Sequence, residues 1–221
     1  MSRQTTGTKI MSDHDFTAVL KTIQPPTKAV SALSRQVVRV GGNLLVMGDR
    51  KGPTEYDLAG TEFFSLENQH DMGFELDRDL PVDHYGRKNL GYLKAFADGS
   101  RLIYETDDDN EPLPNWAPRS ETIEAVPTNS KEWLNAYQHF SNHNIWPRGF
   151  PLDEIATRSG SLVSENVATI EVYAPIQQGL ANGSPDVDAV WRLVLDEPIE
   201  FQNRSSIWLP PGSWCPFNSQ S

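Results

Sequence analysis

Three consecutive carboxylates, Asp107, Asp108 and Asp109, follow the short apolar run Leu102-Ile-Tyr104. That run has the composition of a buried strand. In an extended backbone, side chains at i and i+2 project to one side, so Asp107 and Asp109 face one cation together while Asp108 points elsewhere. Two hard oxygen ligands suit Mg2+ or Mn2+, which bind through one or two carboxylates plus substrate phosphates. The plain alternative is a solvated loop tip or a helix cap, and spacing alone leaves both readings open. Upstream, Arg87, Lys88 and Asn89 fall in the first turn of an expected helix, where the dipole disfavours cations. Either that turn is a surface feature paired with acids before it, or a phosphate or carboxylate sits there. His84, His139 and His143 have no metal-like spacing, and Cys215, the sole cysteine, allows neither an internal disulfide nor a cysteine-rich zinc site.

The elements that must hold these residues read as an α/β chain. Thr17–Ile23 is a first strand, stopped by Gln24-Pro-Pro-Thr27, with Thr27 capping a helix through Arg35. Asn43–Gly48 is a second strand, and this β-α-β order predicts a parallel sheet with a right-handed crossover. Thr61–Phe64 is a third, short strand, and the acids between Ser65 and Asp83 read as solvated surface. The helix from about Tyr85 to Asp98 presents Leu90, Leu93 and Ala97 on one face and ends at Gly99. Helix, strand and then acids at the strand's C-terminal end match where open α/β sheets bind ligands.

Beyond the acids, Pro112, Pro114 and Pro118 break up regular structure, and Lys131–Asn135 reads as a helical turn. Ile145–Pro151 reads as a shaped loop and Ala168–Tyr173 as a strand. Gln177–Asp188 is a polar loop leading into a helix through Leu193, with Pro185 near its start. Ser206–Leu209 and Trp214–Phe217 suggest short strands and turns. Trp133, Trp146, Trp191 and Trp214 have core packing as their default role, with sugar stacking as the alternative.

The 221 residues suit one domain with a substantial core, 16–221, after a disordered leader over 1–15 in which Met11 is a second candidate start. A formal charge of −11 argues against binding nucleic acid or anionic membranes. It does not exclude a phosphate-bearing small molecule, because a bound divalent cation reverses the local field. No apolar run approaches the roughly 18 residues of a membrane span, and the N-terminus lacks a secretory signal, so a cytoplasmic protein is expected.

Taken together, certain blocks resemble the STELLO-type glycosyltransferases, which are distantly similar to the reversibly glycosylated polypeptides (UDP-arabinopyranose mutases). The blocks are Ile23-Gln-Pro-Pro-Thr-Lys-Ala29, Val46-Met-Gly-Asp-Arg-Lys51, His84-Tyr-Gly-Arg-Lys-Asn-Leu-Gly-Tyr92 and Ile103-Tyr-Glu-Thr-Asp-Asp-Asp-Asn110. They continue with Trp146-Pro-Arg-Gly-Phe-Pro-Leu152, Gln177-Gln-Gly-Leu-Ala-Asn-Gly183, Pro185-Asp-Val-Asp188 and Pro216-Phe-Asn-Ser-Gln220, in collinear order over about residues 16–221. The resemblance implies a GT-A-like, Rossmann-like sheet flanked by helices, with a nucleotide-sugar cleft at the strand ends. It also implies that Asp107-Asp108-Asp109 is an Asp-x-Asp motif, whose carboxylates hold a divalent cation against the diphosphate of a sugar donor, expected to be a UDP-sugar. The family continues past the Pro-Phe-Asn-Ser block, so the fold is expected to be incomplete at its C-terminus.

The same resemblance distributes the other roles. Thr22 and Asp49, on the exits of the first two strands, fall on the nucleoside side, with a turn-forming Asp49 as the alternative. Arg87 and Lys88 fall near the diphosphate, together with Asp107 and Asp108. Arg148 matches the sugar-bearing arginine of the reversibly glycosylated polypeptides. Ile155 stands where those proteins have a second arginine, which speaks against self-glycosylation or mutase chemistry. Asp186 and Asp188 form a same-side pair on the acceptor half, either as general base or as acids at a helix N-terminus. The expected function is metal-dependent sugar transfer to the hydroxyl of a glycan, lipid or protein acceptor, by a homo-oligomer or beside a partner glycosyltransferase. A truncated, inactive nucleotide-sugar-binding or partner module is the alternative, and an aspartyl-phosphate phosphatase a third reading.

Overall fold

The computed structural model describes residues 15–128, 133–155, 167–210 and Cys215. The expected leader, the start of the Lys131–Asn135 turn and most of Trp214–Phe217 lie outside them. The chain divides into two compact units, Met1–Pro118 and Arg119–Ser221, where one domain is expected from length.

The first unit is built on a four-stranded sheet of β1 (Phe16–Lys21), β2 (Asn43–Met47), β3 (Thr61–Phe64) and β4 (Leu102–Glu105). Every pairing is parallel and the spatial order is β3-β2-β1-β4. Parallel strands buried on both faces need near-continuous apolar sequence. β1 and β2 supply it: Ala18, Val19, Leu20, Leu44, Leu45, Val46 and Met47 are each at most 1% exposed.

Helices cover both faces. Helix α1 (Lys28–Arg39) starts at Thr27, whose hydroxyl accepts from the Val30 N–H at 3.1 Å. Its stripe of Val30, Leu33 and Val37 packs on Phe16, Ala18, Leu20, Leu44 and Val46. Fully burying a leucine such as Leu33 stabilises by roughly 1.5–3 kcal/mol. The helix runs four residues past the expected Arg35 because Val37 continues the stripe, and Gly41, at φ 74°, follows its end.

On the opposite face lies α3 (Lys88–Ala97), which follows the short helix α2 (Leu66–His70). It packs Ala95 and Tyr92 against Val19, Leu45, Phe64 and Ile103. The expected helix from Tyr85 instead begins as a 3-10 turn over Tyr85–Arg87. Its buried face is Lys88, Leu90, Gly91 and Ala95, and Ala97 is exposed. The rotation follows from Gly91, where a Cβ would stand 2.5 Å from Val19 Cγ1, so the glycine marks the point of closest approach to the sheet. Gly99 ends α3 at φ 88°, donating to the Phe96 carbonyl while Ser100 donates to that of Ala95.

The second unit holds a three-stranded sheet of β5 (Thr122–Pro127), β6 (Ile170–Tyr173) and β7 (Ser206–Trp208), ordered β6-β5-β7. β5 pairs antiparallel with β6 and parallel with β7. Its core gathers Tyr137 from α4 (Ala136–Phe140) and Trp191 from α5 (Ala189–Val194), with Ile145, Trp146, Phe150, Val187 and Ile199. Trp133 packs at the edge of this cluster, so the described tryptophans of this unit's core serve packing. Trp191, fully buried, donates its indole N–H to the Asn144 carbonyl at 2.7 Å. Pro185 lies ahead of α5 rather than in its first turn. Among the described residues no helix is long and apolar enough to cross a membrane.

Candidate functional site

The order β3-β2-β1-β4 has one reversal: successive strands are added on one side of β1 until β4 returns to its other side. Open α/β sheets bind ligands in the crevice outside the carboxyl ends of the two strands at such a switch point. Here those strands are β1 and β4, paired in register from Phe16↔Leu102 to Val19↔Glu105. The chain leaves β1 through Thr22 and leaves β4 through Thr106 into the three acids.

These two exits are tied to each other. Thr22 donates its hydroxyl to the Asp108 carboxylate and accepts from the Gln24 N–H at 2.9 Å. Thr27 donates its hydroxyl to the Asp108 carbonyl at 2.5 Å. Asp108, expected beside a diphosphate, thus points back into the fold. The backbone has already left the strand at Glu105 and turns at Asp108 and Asp109, so it is the turn that directs Asp107 and Asp109.

Asp107 is held by Lys88. The ammonium donates to Asp107 Oδ1 at 2.8 Å, Glu105 Oε1 at 3.2 Å and the Thr106 carbonyl at 3.1 Å. Burial raises the Asp107 pKa; Lys88 opposes that shift, and repulsion from Asp109 and Glu105 adds to it. That repulsion marks an excess of negative charge which a hard cation would relieve. Among the described residues no three His, Cys, Asp or Glu side chains converge into a ready-made cage. Two carboxylates suit a Mg2+ or Mn2+ ion that completes its shell with water and phosphate oxygens. By donor chemistry, the carboxylates of Asp107 and Asp109 suit such an ion.

Other expected site residues are committed elsewhere. Asp49, placed by resemblance against a nucleoside, is 3% exposed and takes the turn-forming alternative. Its Oδ1 accepts from the N–H groups of Arg50 and Asp83, each at 2.8 Å. Its Oδ2 accepts from the His84 N–H at 3.2 Å and pairs with Lys21 at 3.1 Å. Four donors fill the lone-pair directions of one carboxylate. Although burial opposes ionisation, these donors hold the Asp49 pKa below its usual range.

Arg87, expected near a diphosphate, is 1% exposed and faces inward. It donates to Gln69 Oε1 at 2.6 Å, to the Leu80 carbonyl at 3.2 Å and to the Asp77 carboxylate. Asp77, read with its acidic neighbours as solvated surface, is therefore a buried counter-ion. Burial works against its charge, but His70 and Arg87 outweigh that and depress its pKa. A carboxylate does sit against each of the cations at 87 and 88, and in both cases it is the protein's own.

In the second unit, Arg148 pairs with Asp186 at 2.6 Å, and the Asp186 carbonyl accepts from the Tyr137 hydroxyl at 3.1 Å. Asp188 caps α5 by accepting from the Val190 N–H at 2.7 Å, the helix N-terminal role its position allowed. Reasoning from sequence missed Thr27's bond to the acidic turn and the buried Gln69, which donates to the Gly48 and Phe64 carbonyls at 2.8 and 2.9 Å. The signal available for Thr27 was its place in the block before α1; Gln69 had none.

Two curated proteins of Arabidopsis thaliana, Probable glycosyltransferase STELLO1 and Probable glycosyltransferase STELLO2, are each 31% identical to the chain over 224 residues. The matched region is 91% of this chain and takes in the blocks around the switch point. Over this region the chain is similar to the STELLO-type proteins. It spans 28% of the length of each of these STELLO proteins. No protein-family profile matches it. The parallel α/β sheet flanked by helices is the GT-A-like arrangement expected of a STELLO-type chain, with its acidic turn at the sheet's switch point.

Proposed function

We propose that the chain is a glycosyltransferase that takes its sugar from a nucleotide-sugar donor, a UDP-sugar, with Mg2+ or Mn2+ at Asp107 and Asp109. The observation that carries this reading is the placement of the acidic turn beside the β1 exit, where a parallel sheet of this order binds ligands. That both STELLO proteins are named probable glycosyltransferases supports the reaction class.

The leaving nucleoside diphosphate gains negative charge as the glycosidic bond breaks, and a bound divalent cation supplies the electrostatic stabilisation of that charge. The protein's share is preorganisation. Thr22 and Thr27 fix Asp108, which leaves Asp107 and Asp109 directed by a turn that need not reorganise during reaction. Lys88 holds Asp107 in its place from the α3 side.

Calorimetry with UDP and Mn2+ tests the proposal. UDP binds the wild type in the presence of Mn2+, and Asp107→Ala or Asp109→Ala removes that binding by at least about tenfold, a loss of 1.4 kcal/mol. Wild-type protein that binds no UDP, or variants that bind it unchanged, would sink the reading. Release of UDP from a UDP-sugar by the purified chain then separates an enzyme from a module that only binds.

A further inference from the structure

Lys88 occupies the first residue of α3, where the helix dipole disfavours a cation, and it is 5% exposed. Its three N–H groups meet three acceptors: Asp107, Glu105 and the Thr106 carbonyl. No N–H remains for a phosphate while this arrangement holds. A buried ion pair is a poor device for stability alone, because apolar side chains of similar volume do as well or better. What the lysine adds to this position is charge, placed on one of the two carboxylates that fit a metal ion. The neighbouring cation, Arg87, is turned away and matched to Asp77.

We propose that Lys88 couples the cation to the nucleotide, so that a divalent ion binds firmly at Asp107 and Asp109 only together with a diphosphate. This rests on the function proposed above. An ion on Asp107 lies within a few ångström of an ammonium that touches the same carboxylate, and the two positive charges repel. A diphosphate brings the negative charge that offsets both. Because coupling free energy is reciprocal, the ion must strengthen nucleotide binding by the same factor that the nucleotide strengthens ion binding. Lys88 is on this account a positioning residue that sets charge, and the ligand class it selects is a divalent cation with a nucleoside diphosphate.

The experiment measures free Mn2+ by its electron paramagnetic resonance signal, with the ion alone and then with saturating UDP. Wild type, Lys88→Met and Lys88→Arg are compared, with circular dichroism to confirm folding. In the wild type Mn2+ alone binds weakly and UDP tightens it. Lys88→Met binds Mn2+ alone about tenfold or more tightly than wild type, and the tightening by UDP shrinks correspondingly. Lys88→Arg keeps the charge and restores the wild-type pattern.

If Lys88→Met fails to fold, Lys88→Gln, which keeps hydrogen-bond donors for this pocket but no charge, is read the same way. Unchanged Mn2+ affinity in the folded neutral variant overturns the inference while leaving the proposed function intact. Loss of UDP binding without Mn2+ in that variant also overturns it, because it shows direct contact between Lys88 and phosphate. Wild-type protein that binds neither Mn2+ nor UDP overturns both readings.

Discussion

Asp49 and Asp107 follow β2 and β4, the two strands that flank β1, and have opposite electrostatics. Asp49 has four donors and a pKa held down; Asp107 has one strong partner, two acidic neighbours and a pKa pushed up. A depressed folded-state pKa gives stability that is present above the unfolded value and lost as pH falls through the folded one. Asp49 and Asp77 therefore make the protein acid-labile below about pH 4, the ordinary range for an aspartate. Thermal melts between pH 7 and pH 2 check this, and Asp49→Asn flattens the acid limb. At neutral pH Asp49→Ala costs about 3–5 kcal/mol, because Lys21 and three backbone N–H groups lose their acceptor. For Asp107 the sign reverses: ionisation is unfavourable in the folded state, so Asp107→Asn raises the melting temperature at neutral pH while removing Mn2+-dependent UDP binding. A lower melting temperature in that variant would show that Lys88 outweighs the repulsion. Sequence singled out Asp49 and Asp107 but left Asp77 among solvated acids, because the behaviour of each depends on which N–H groups and charges the fold brings to it.

Gly91 illustrates the scale of elements. A glycine inside a helix costs about 1 kcal/mol relative to alanine, so on propensity alone Gly91→Ala stabilises α3. The structure reverses that expectation, because the new Cβ would meet Val19 Cγ1 at 2.5 Å and Met47 Cγ at 3.2 Å. Overpacking of this kind costs about 1–3 kcal/mol. Urea melts of Gly91→Ala then show a lower midpoint, and since α3 carries Lys88, UDP binding with Mn2+ weakens as well. Asp188→Ala isolates a cap in α5: the expected loss is about 1 kcal/mol of stability. The strands β1, β2 and β3 were legible from their apolar runs, and α1 because its apolar stripe and its cap at Thr27 agree. β5 was not, because its alternation over Ile123 and Ala125 is short, follows a proline-rich stretch and ends in Pro127. Helix α2 was hidden by its polar composition and shortness, although Ser65 accepts from the Asn68 N–H as a regular cap does.

For the whole molecule, the boundary between the units falls after Pro118, in an exposed stretch without regular structure. Such boundaries are preferred sites of nicking. Limited trypsinolysis cuts first after the exposed Arg119, seen as two fragments by mass spectrometry; early cleavage after Lys21, Arg87 or Lys88, all inside the first unit, would contradict the boundary. The acidic net charge, the β-α-β order and the collinear blocks were legible in the sequence alone, and from them came the expectation of a parallel sheet and the resemblance to the STELLO-type proteins. Local patterning suffices for these, because strand burial, helix caps and motif order are written in consecutive residues. Only the tertiary structure decided that Asp49 and Arg87 are fully engaged within the fold, that Asp77 is a buried counter-ion and that Lys88 grips Asp107. Those pairings join residues on different elements, and charge compensation depends on distances that folding alone sets.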